Sequence, residues 1–563
     1  MKFLFTLKSI GVSLNKIMEV NEIVVHTHKL SYTDFYTHIT ALTLHELFPS
    51  DCNTIFINLS ITNNIMSSQS LCIVYIAGDV SSYRVVDYIF NGNTYTSFFS
   101  VHALWLALNP KKVIALVPDS LMRFECDDKE VSTTQAIEDT YKKLLSNKAT
   151  NVSSLNSRFQ ISSFNQLLNY IKVEYIPNVG IGRTSVVNCQ GQIIKQVDYR
   201  ESRDPTFIYN VVYAILNKYH SEEGCEKFIV DLTHGTNVLV STLLAAAAHF
   251  DDSDFYAAPI MGLPTNTQNI QVEIVELTNL VKALKDSLKI RLSIDKLDER
   301  YSVDYTKNLG SLNPNNFNQK HKNLIEKIKS TNINKVNNLL WYLRNGYVPK
   351  ALESTDELSN YIENLQKDVK DLTQIYLNWN NPDNASFQNV RYILLPNFYS
   401  TLKVRELIDS IKGKNDIESM KNILDKYKEV EYYDKALSLA RELPVVECLD
   451  KKGGGTIDDD DKNYKKCQKS VDNYIKERHN RIMTFRNYLM HSGLSTDLKI
   501  KVKDGKLGPN TAGNNFPDKN RISNYVRNEL KKDVEDVINN CCAKNSIYIK
   551  ITKFLSALKK SAS

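Results

Sequence analysis

From residue 71 to residue 276 the chain repeats one pattern: a short apolar run, a polar or glycine-containing break, then a stretch with apolar residues three and four apart. Leu71-Cys72-Ile73-Val74-Tyr75-Ile76 stops at Gly78, Val113 to Val117 stops at Pro118, and Phe228-Ile229-Val230 stops at Asp231. Apolar runs of this length are strands covered on both faces, as a parallel sheet requires. The segments between them, 99–108, 131–145, 164–171 and 204–220, have helical spacing. Strands separated by helices of ten or more residues predict an α/β fold, a doubly wound, Rossmann-like domain with a parallel-rich sheet. After about residue 280 strand-like runs almost vanish. "LVKALKDSLKIRL", "VNNLLWYL", "LSNYIENLQKDVKDLTQIYL" and "EYYDKALSLARELPVVEC" are amphipathic helices, so an all-α half follows the sheet. "GGGTIDDDD" near 453–461 is a solvated loop, and its Asp spacing fits no calcium loop.

A chain of 563 residues with 42% hydrophobic content holds several domains with proper cores. The expected division is an extension at 1–65, a sheet domain at 66–280, a helical connector at 281–380 and a helical domain at 381–563. The extension contains no Arg and four of the eleven His, and Met66 opens what reads as the start of a domain. A chain begun at Met66 is therefore expected to express and act normally. Insoluble or inactive protein would show that the extension packs on the fold. Seventy basic residues against sixty-four acidic ones leave a net charge of only +6, which excludes a strongly polycationic chain but not a local basic surface. Nine cysteines without a C-x-x-C spacing predict reduced thiols, a cytoplasmic location and no zinc site. The longest apolar stretch, 238–250, is too short to span a bilayer, so no membrane partner is expected.

In a doubly wound sheet, ligands bind outside the carboxyl ends of the strands. Three loops are expected there: one with Gly78, Asp79, Ser81 and Ser82, one with Gly180, Gly182 and Arg183, and one with Thr233, His234, Gly235, Thr236 and Asn237. The third opens a helix, whose free N–H groups attract an anion. Gly235 permits close backbone approach, and Thr236 or Asn237 can cap the helix. The set offers amides, hydroxyls and one Arg, which suits holding phosphate, ribose and base edges. Purely structural roles stand beside this, Asn237 as a cap and His234 as a hydrogen-bonding loop residue. "GIGRTS" lacks the third Gly and the acidic partner of a dinucleotide fingerprint.

Asp231-Leu232-Thr233-His234-Gly235-Thr236-Asn237 resembles the D-x-T-H-G-x-N signature of the CARF domains in type III CRISPR-associated CARF–HEPN ribonucleases, and "YIAGDVSSYRVVDYIFNG" is similar to that family's first strand and loop. The resemblance covers about 70–280. It implies a CARF domain that binds a cyclic oligoadenylate as activator, most often cyclic tetra-adenylate, with no cofactor. It also implies a HEPN nuclease with an R-x4-H type motif on a helix. Arg486-Asn487-Tyr488-Leu489-Met490-His491 supplies one, with Ser492-Gly493 ending the helix.

The chemistry suits those residues. An RNA 2′-OH can attack its own phosphate without a metal, His491 can shuttle the proton, and Arg486 can hold the phosphate and its transition-state charge. Asn487 can orient either. The products are a 2′,3′-cyclic phosphate and a 5′-OH. Residues five apart on an ideal helix point roughly 140° apart, so a homodimer, or an assembly of dimers, is expected to complete the site. Val471, Ile475, Ile482, Phe485 and Leu489 are read as one stripe on one helix, with Arg478 and His479 at the surface or on the RNA path. Without the first motif, Arg486 reads as an ion-pair residue and His491 as a partner of the helix dipole. The expectation is an endoribonuclease acting on single-stranded RNA in antiviral defence. The alternatives are a nucleotide sensor whose helical half binds nucleic acid without cutting it, and a CARF pocket that cleaves its own ligand.

Overall fold

The computed structural model describes residues 70–126, 132–260, 270–378, 393–491, 500–503, 506–509 and 518–541. The extension at 1–65, Ser492 and Gly493 lie outside them. The first strand, β1 (Leu71–Ile76), is covered on both faces. Cys72, Val74 and Ile76 enter one buried cluster, while Ile73, Tyr75 and Ala77 enter another. A hairpin follows, β2 (Val86–Phe90) and β3 (Asn93–Ser97), then α1 (Ser100–Leu108) and β4 (Lys112–Pro118). Next come β5 (Met122–Phe124), α2 (Thr133–Leu155), α3 (Ile161–Tyr170) and β6 (Ile171–Ile176), and the two strands β7 (Gly180–Val187) and β8 (Ile193–Glu201). The half closes with α4 (Pro205–Ser221), β9 (Lys227–Asp231), α5 (Asn237–Ala247), β10 (Asp254–Ala257), β11 (Gln271–Glu273) and β12 (Val275–Glu276).

The main sheet runs β12-β10-β9-β1-β4-β6, parallel except for the β12 edge. The chain builds outward from β1 through β4 to β6, then returns to the other side of β1 with β9. Buried residues of α1, α2 and α3 cover one face, and those of α4 and α5 cover the other. This is the doubly wound α/β arrangement, and its switch point lies between β1 and β9.

Two expectations change here. The segment around Gly180, Gly182 and Arg183 is strand β7 rather than a loop. It pairs antiparallel with β8, Gly182 beside Tyr199 and Arg183 beside Asp198. Period-two signals are weak where two glycines interrupt them. The thiols are not all reduced either. Cys72 is bonded to Cys225 and Cys126 to Cys189. An odd count carries no information about adjacency, but register does: Leu71 sits beside Lys227, so Cys72 on β1 and Cys225 just before β9 meet across 153 residues. Removing this bridge, as Cys225→Ser, is expected to cost about 2–4 kcal/mol of stability, read by denaturant unfolding. Free thiols at both positions in unreduced, denatured protein would contradict it.

The helical half begins with α6 (Thr278–Asp295) and continues with α7 (Gln319–Lys329), α8 (Asn334–Asn345), α9 (Val348–Leu377), α10 (Leu395–Leu402), α11 (Val404–Ile411), α12 (Asp416–Glu429), α13 (Tyr433–Lys451), α14 (Lys462–Arg478) and α15 (Asn480–Met490). A small antiparallel hairpin, β13 (Ile500–Lys503) and β14 (Lys506–Pro509), precedes α16 (Lys519–Asn528) and α17 (Leu530–Cys541). The alternation in "KIKVKDGKLG" foretells that hairpin. One buried cluster runs from Ile290 to Ile538. No described helix is long and apolar enough to cross a membrane.

The stripe of Val471, Ile475, Ile482 and Phe485 is buried, but on two helices rather than one. The break falls at His479, whose ring nitrogens face Asp533 at 3.2 Å and Asp536 at 2.8 Å on α17. His479 is thus a tie between helices and not an open surface residue.

Candidate functional site

The loops after β1 and β9 emerge side by side, because the two strands are neighbours and Tyr75 is in register with Asp231. After β1, Asp79 caps a short 3-10 turn, Val80–Ser82. Its carboxylate accepts from the backbone N–H of Ser81 at 2.9 Å and from the Ser81 hydroxyl at 2.8 Å, while the Ser82 hydroxyl donates to the Asp79 carbonyl at 2.6 Å. These bonds shape the turn and leave Asp79, Ser81 and Ser82 exposed. The turn returns Tyr83 into the core, where its hydroxyl accepts from the Gly78 N–H at 3.0 Å. A Cβ on Gly78 would lie 3.0 Å from that hydroxyl and 3.6 Å from the His234 Cβ, so glycine permits this packing.

At the end of β9, Asp231 is only 1% exposed. Its carboxylate accepts from the Thr233 N–H at 2.9 Å, from the Thr233 hydroxyl, and from the Ser100 hydroxyl on α1 at 2.6 Å. Three donors compensate the burial of a charge-bearing group. The Thr233 hydroxyl also accepts from the Ala258 N–H at 2.9 Å, which ties the loop to the end of β10. His234 stacks on Tyr83, ring centroids 4.4 Å apart and planes 25° apart, and its Nε2 lies 3.3 Å from the Ser100 hydroxyl. Burial holds the His234 pKa below the ordinary histidine value, with Asp231 opposing it. Gly235 has φ +108, and a Cβ there would meet the Ile76 side chain at 2.7 Å. Sequence reasoning assigns Gly235 to close approach of a ligand, whereas its first constraint is packing onto β1. Thr236 occupies the cap position of α5 without a side-chain cap bond, and Asn237 is the first helical residue. Neither side chain caps, so the amides of the first turn face the loop mouth unsatisfied by the expected cap. From Asn237 a groove continues between α5 and α4, lined by Val238, Ser241, Pro205, Thr206 and Tyr209.

Gly180, Gly182 and Arg183 belong elsewhere on this edge. They follow β6, two strands from β1 and so roughly 10 Å along the sheet. A network missed by sequence reasoning anchors that corner. Asp119, at the end of β4, accepts from the Asn178 N–H at 2.9 Å, from the Tyr199 hydroxyl at 2.8 Å, and from Arg203. An acid directly after a buried strand was the available signal. The structure joins the first and third loops, while Gly180, Gly182 and Arg183 are exposed or half-exposed on β7.

In the helical half, Arg486 and Asn487 lie on α15, and His491 is its exposed C-terminal cap residue with φ −101 and ψ 23. Because the helix ends at Met490, His491 has left the helical register that set the two side chains apart. An Nη of Arg486 donates to Asn487 Oδ1 at 3.3 Å, and its Nε is buried without a hydrogen-bond partner among the described residues.

Residues 72–275 match the family model described as the CARF domain of CRISPR system endoribonuclease Csx1. The α/β half is CARF-like. The match starts in β1 and ends in β12, so it spans both loops and β7 and stops before the helices that carry Arg486 and His491. No curated protein matches the chain. Among solved structures, Enterococcus italicus Csm6 bound to cyclic hexa-2'-fluoro-hexa-dAMP aligns over 87% of this chain and 99% of its own, at 11% identity and a TM-score of 0.25. A superposition that loose carries no argument about fold or ligand.

Proposed function

We propose that the protein is a cytoplasmic endoribonuclease of type III CRISPR antiviral defence, activated by a cyclic oligoadenylate, most simply cyclic tetra-adenylate, and cutting single-stranded RNA without a metal. The observation that carries this reading is the CARF-like match over 72–275 together with the D-x-T-H-G-x-N loop at the β1/β9 switch point. In this reading the first and third loops hold the activator, residues 281–380 connect, and 381–563 form the HEPN nuclease. Arg486 binds the scissile phosphate, His491 moves the 2′-OH proton, and Asn487 orients the guanidinium it already contacts.

A ring of four identical units can itself be two-fold symmetric, and two-fold dimers are the commonest protein oligomers. One activator ring is therefore expected per two chains. Calorimetric titration with cyclic tetra-adenylate tests this. One ring per chain would refute a shared pocket, and no binding would refute the sensor reading. A sensor that binds nucleic acid without cutting is the second reading, favoured by the match ending at residue 275.

A further inference from the structure

Within the loop that the proposed function assigns to the activator, the hydrogen-bond directions are determined by one residue outside the signature. Ser100 opens α1, 131 residues from Asp231, and is 1% exposed. Its single hydroxyl proton has two neighbours, Asp231 Oδ2 at 2.6 Å and His234 Nε2 at 3.3 Å. A hydroxyl has one proton to give. The shorter, charge-assisted bond takes it, so the imidazole must be the donor in the other pair. Burial keeps the ring neutral by disfavouring its cation. A neutral imidazole carries one proton, and here Nε2 holds it. Nδ1 has no hydrogen-bond partner among the described residues, and His234 is partly exposed. Tyr83 stacked on the ring face and Ser100 at one edge together restrain the ring against flipping.

We infer that Ser100 is a positioning residue that locks His234 in the Nε2–H tautomer, so that Nδ1 acts as a fixed acceptor for a hydrogen-bond donor of the bound nucleotide. This rests on the reading of the loop as the activator site. An acceptor there repels phosphate oxygens and selects a donor group. A cyclic oligoadenylate offers two kinds, the ribose 2′-OH where it is not esterified and the adenine exocyclic amine.

Two measurements test this, and they fail independently. The first needs no ligand. Histidine-15N NMR of the full chain, with the His234 signals identified by their loss in His234→Asn, should show a protonated Nε2 and a bare Nδ1. Ser100→Ala should turn this into a mixture of tautomers. A protonated Nδ1 in the wild type overturns the proposal, even if Ser100→Ala does not fold. The second compares binding of cyclic tetra-adenylate, its 2′-deoxy form and cyclic tetra-inosinate, which lacks the amine. Ser100→Ala should weaken binding of the adenylate about tenfold, one hydrogen bond's worth. It should have no further effect on whichever analogue lacks the donor, which identifies that donor. Equal weakening for all three rings overturns the acceptor role. If the wild type binds none of them, the activator reading fails while the tautomer result stands.

Discussion

His491→Ala is expected to lower RNA cleavage by at least about 100-fold, because removing a general acid/base group costs about that much or more, and to leave activator binding unchanged. His491 is exposed at the end of α15, and its side chain makes no hydrogen bond or ion pair among the described residues. Its loss therefore removes chemistry without removing packing. The loops proposed to hold the activator pack on buried clusters other than the one under α15. Single-turnover cleavage of labelled RNA at saturating activator reads the first effect and calorimetry reads the second. Full cleavage by the variant would remove the nuclease assignment from this motif. Arg486→Lys is a useful companion, since Lys keeps the charge but loses the planar fork that grips a phosphate.

Gly235→Val is expected to have the second largest effect. At φ +108 a branched side chain is strained, by about 1–3 kcal/mol for such backbone outliers. The added Cβ also meets Ile76 at 2.7 Å on one of the central strands. Strand and loop cannot both keep their places. The loop should shift and take His234 off Tyr83, so cleavage should return only at high activator concentration, if at all. Thermal unfolding and the activation midpoint together check this. An unchanged midpoint and melting temperature would mean that the loop neither packs nor binds as described. The expected loss arises inside the protein, at Ile76, before any ligand is considered.

Periodicity made the sheet legible because both faces of β1, β4 and β9 are covered, which forces unbroken apolar runs. It failed at β7, where glycines hide the alternation, and at His479, where nothing local announces that two carboxylates of α17 wait for the ring. The Thr233–Asn237 loop was legible as a motif, but its internal logic was not. Ser100 lies 131 residues away, and only the β1–β9 adjacency and the placement of α1 bring it to Asp231 and His234. The Cys72–Cys225 bond was hidden for the same reason, since strand order decides which cysteines are neighbours. Apart from β7, non-local pairing is the common cause of these misses.

Nucleotide sensing in one half is expected to switch RNA cleavage in the other. Its most direct measurement incubates the full chain with labelled single-stranded RNA in EDTA, with and without cyclic tetra-adenylate. Cleavage is expected only with the activator, giving 2′,3′-cyclic phosphate ends despite the chelator. Cleavage independent of every cyclic oligoadenylate, or activated cleavage that EDTA abolishes, would contradict it.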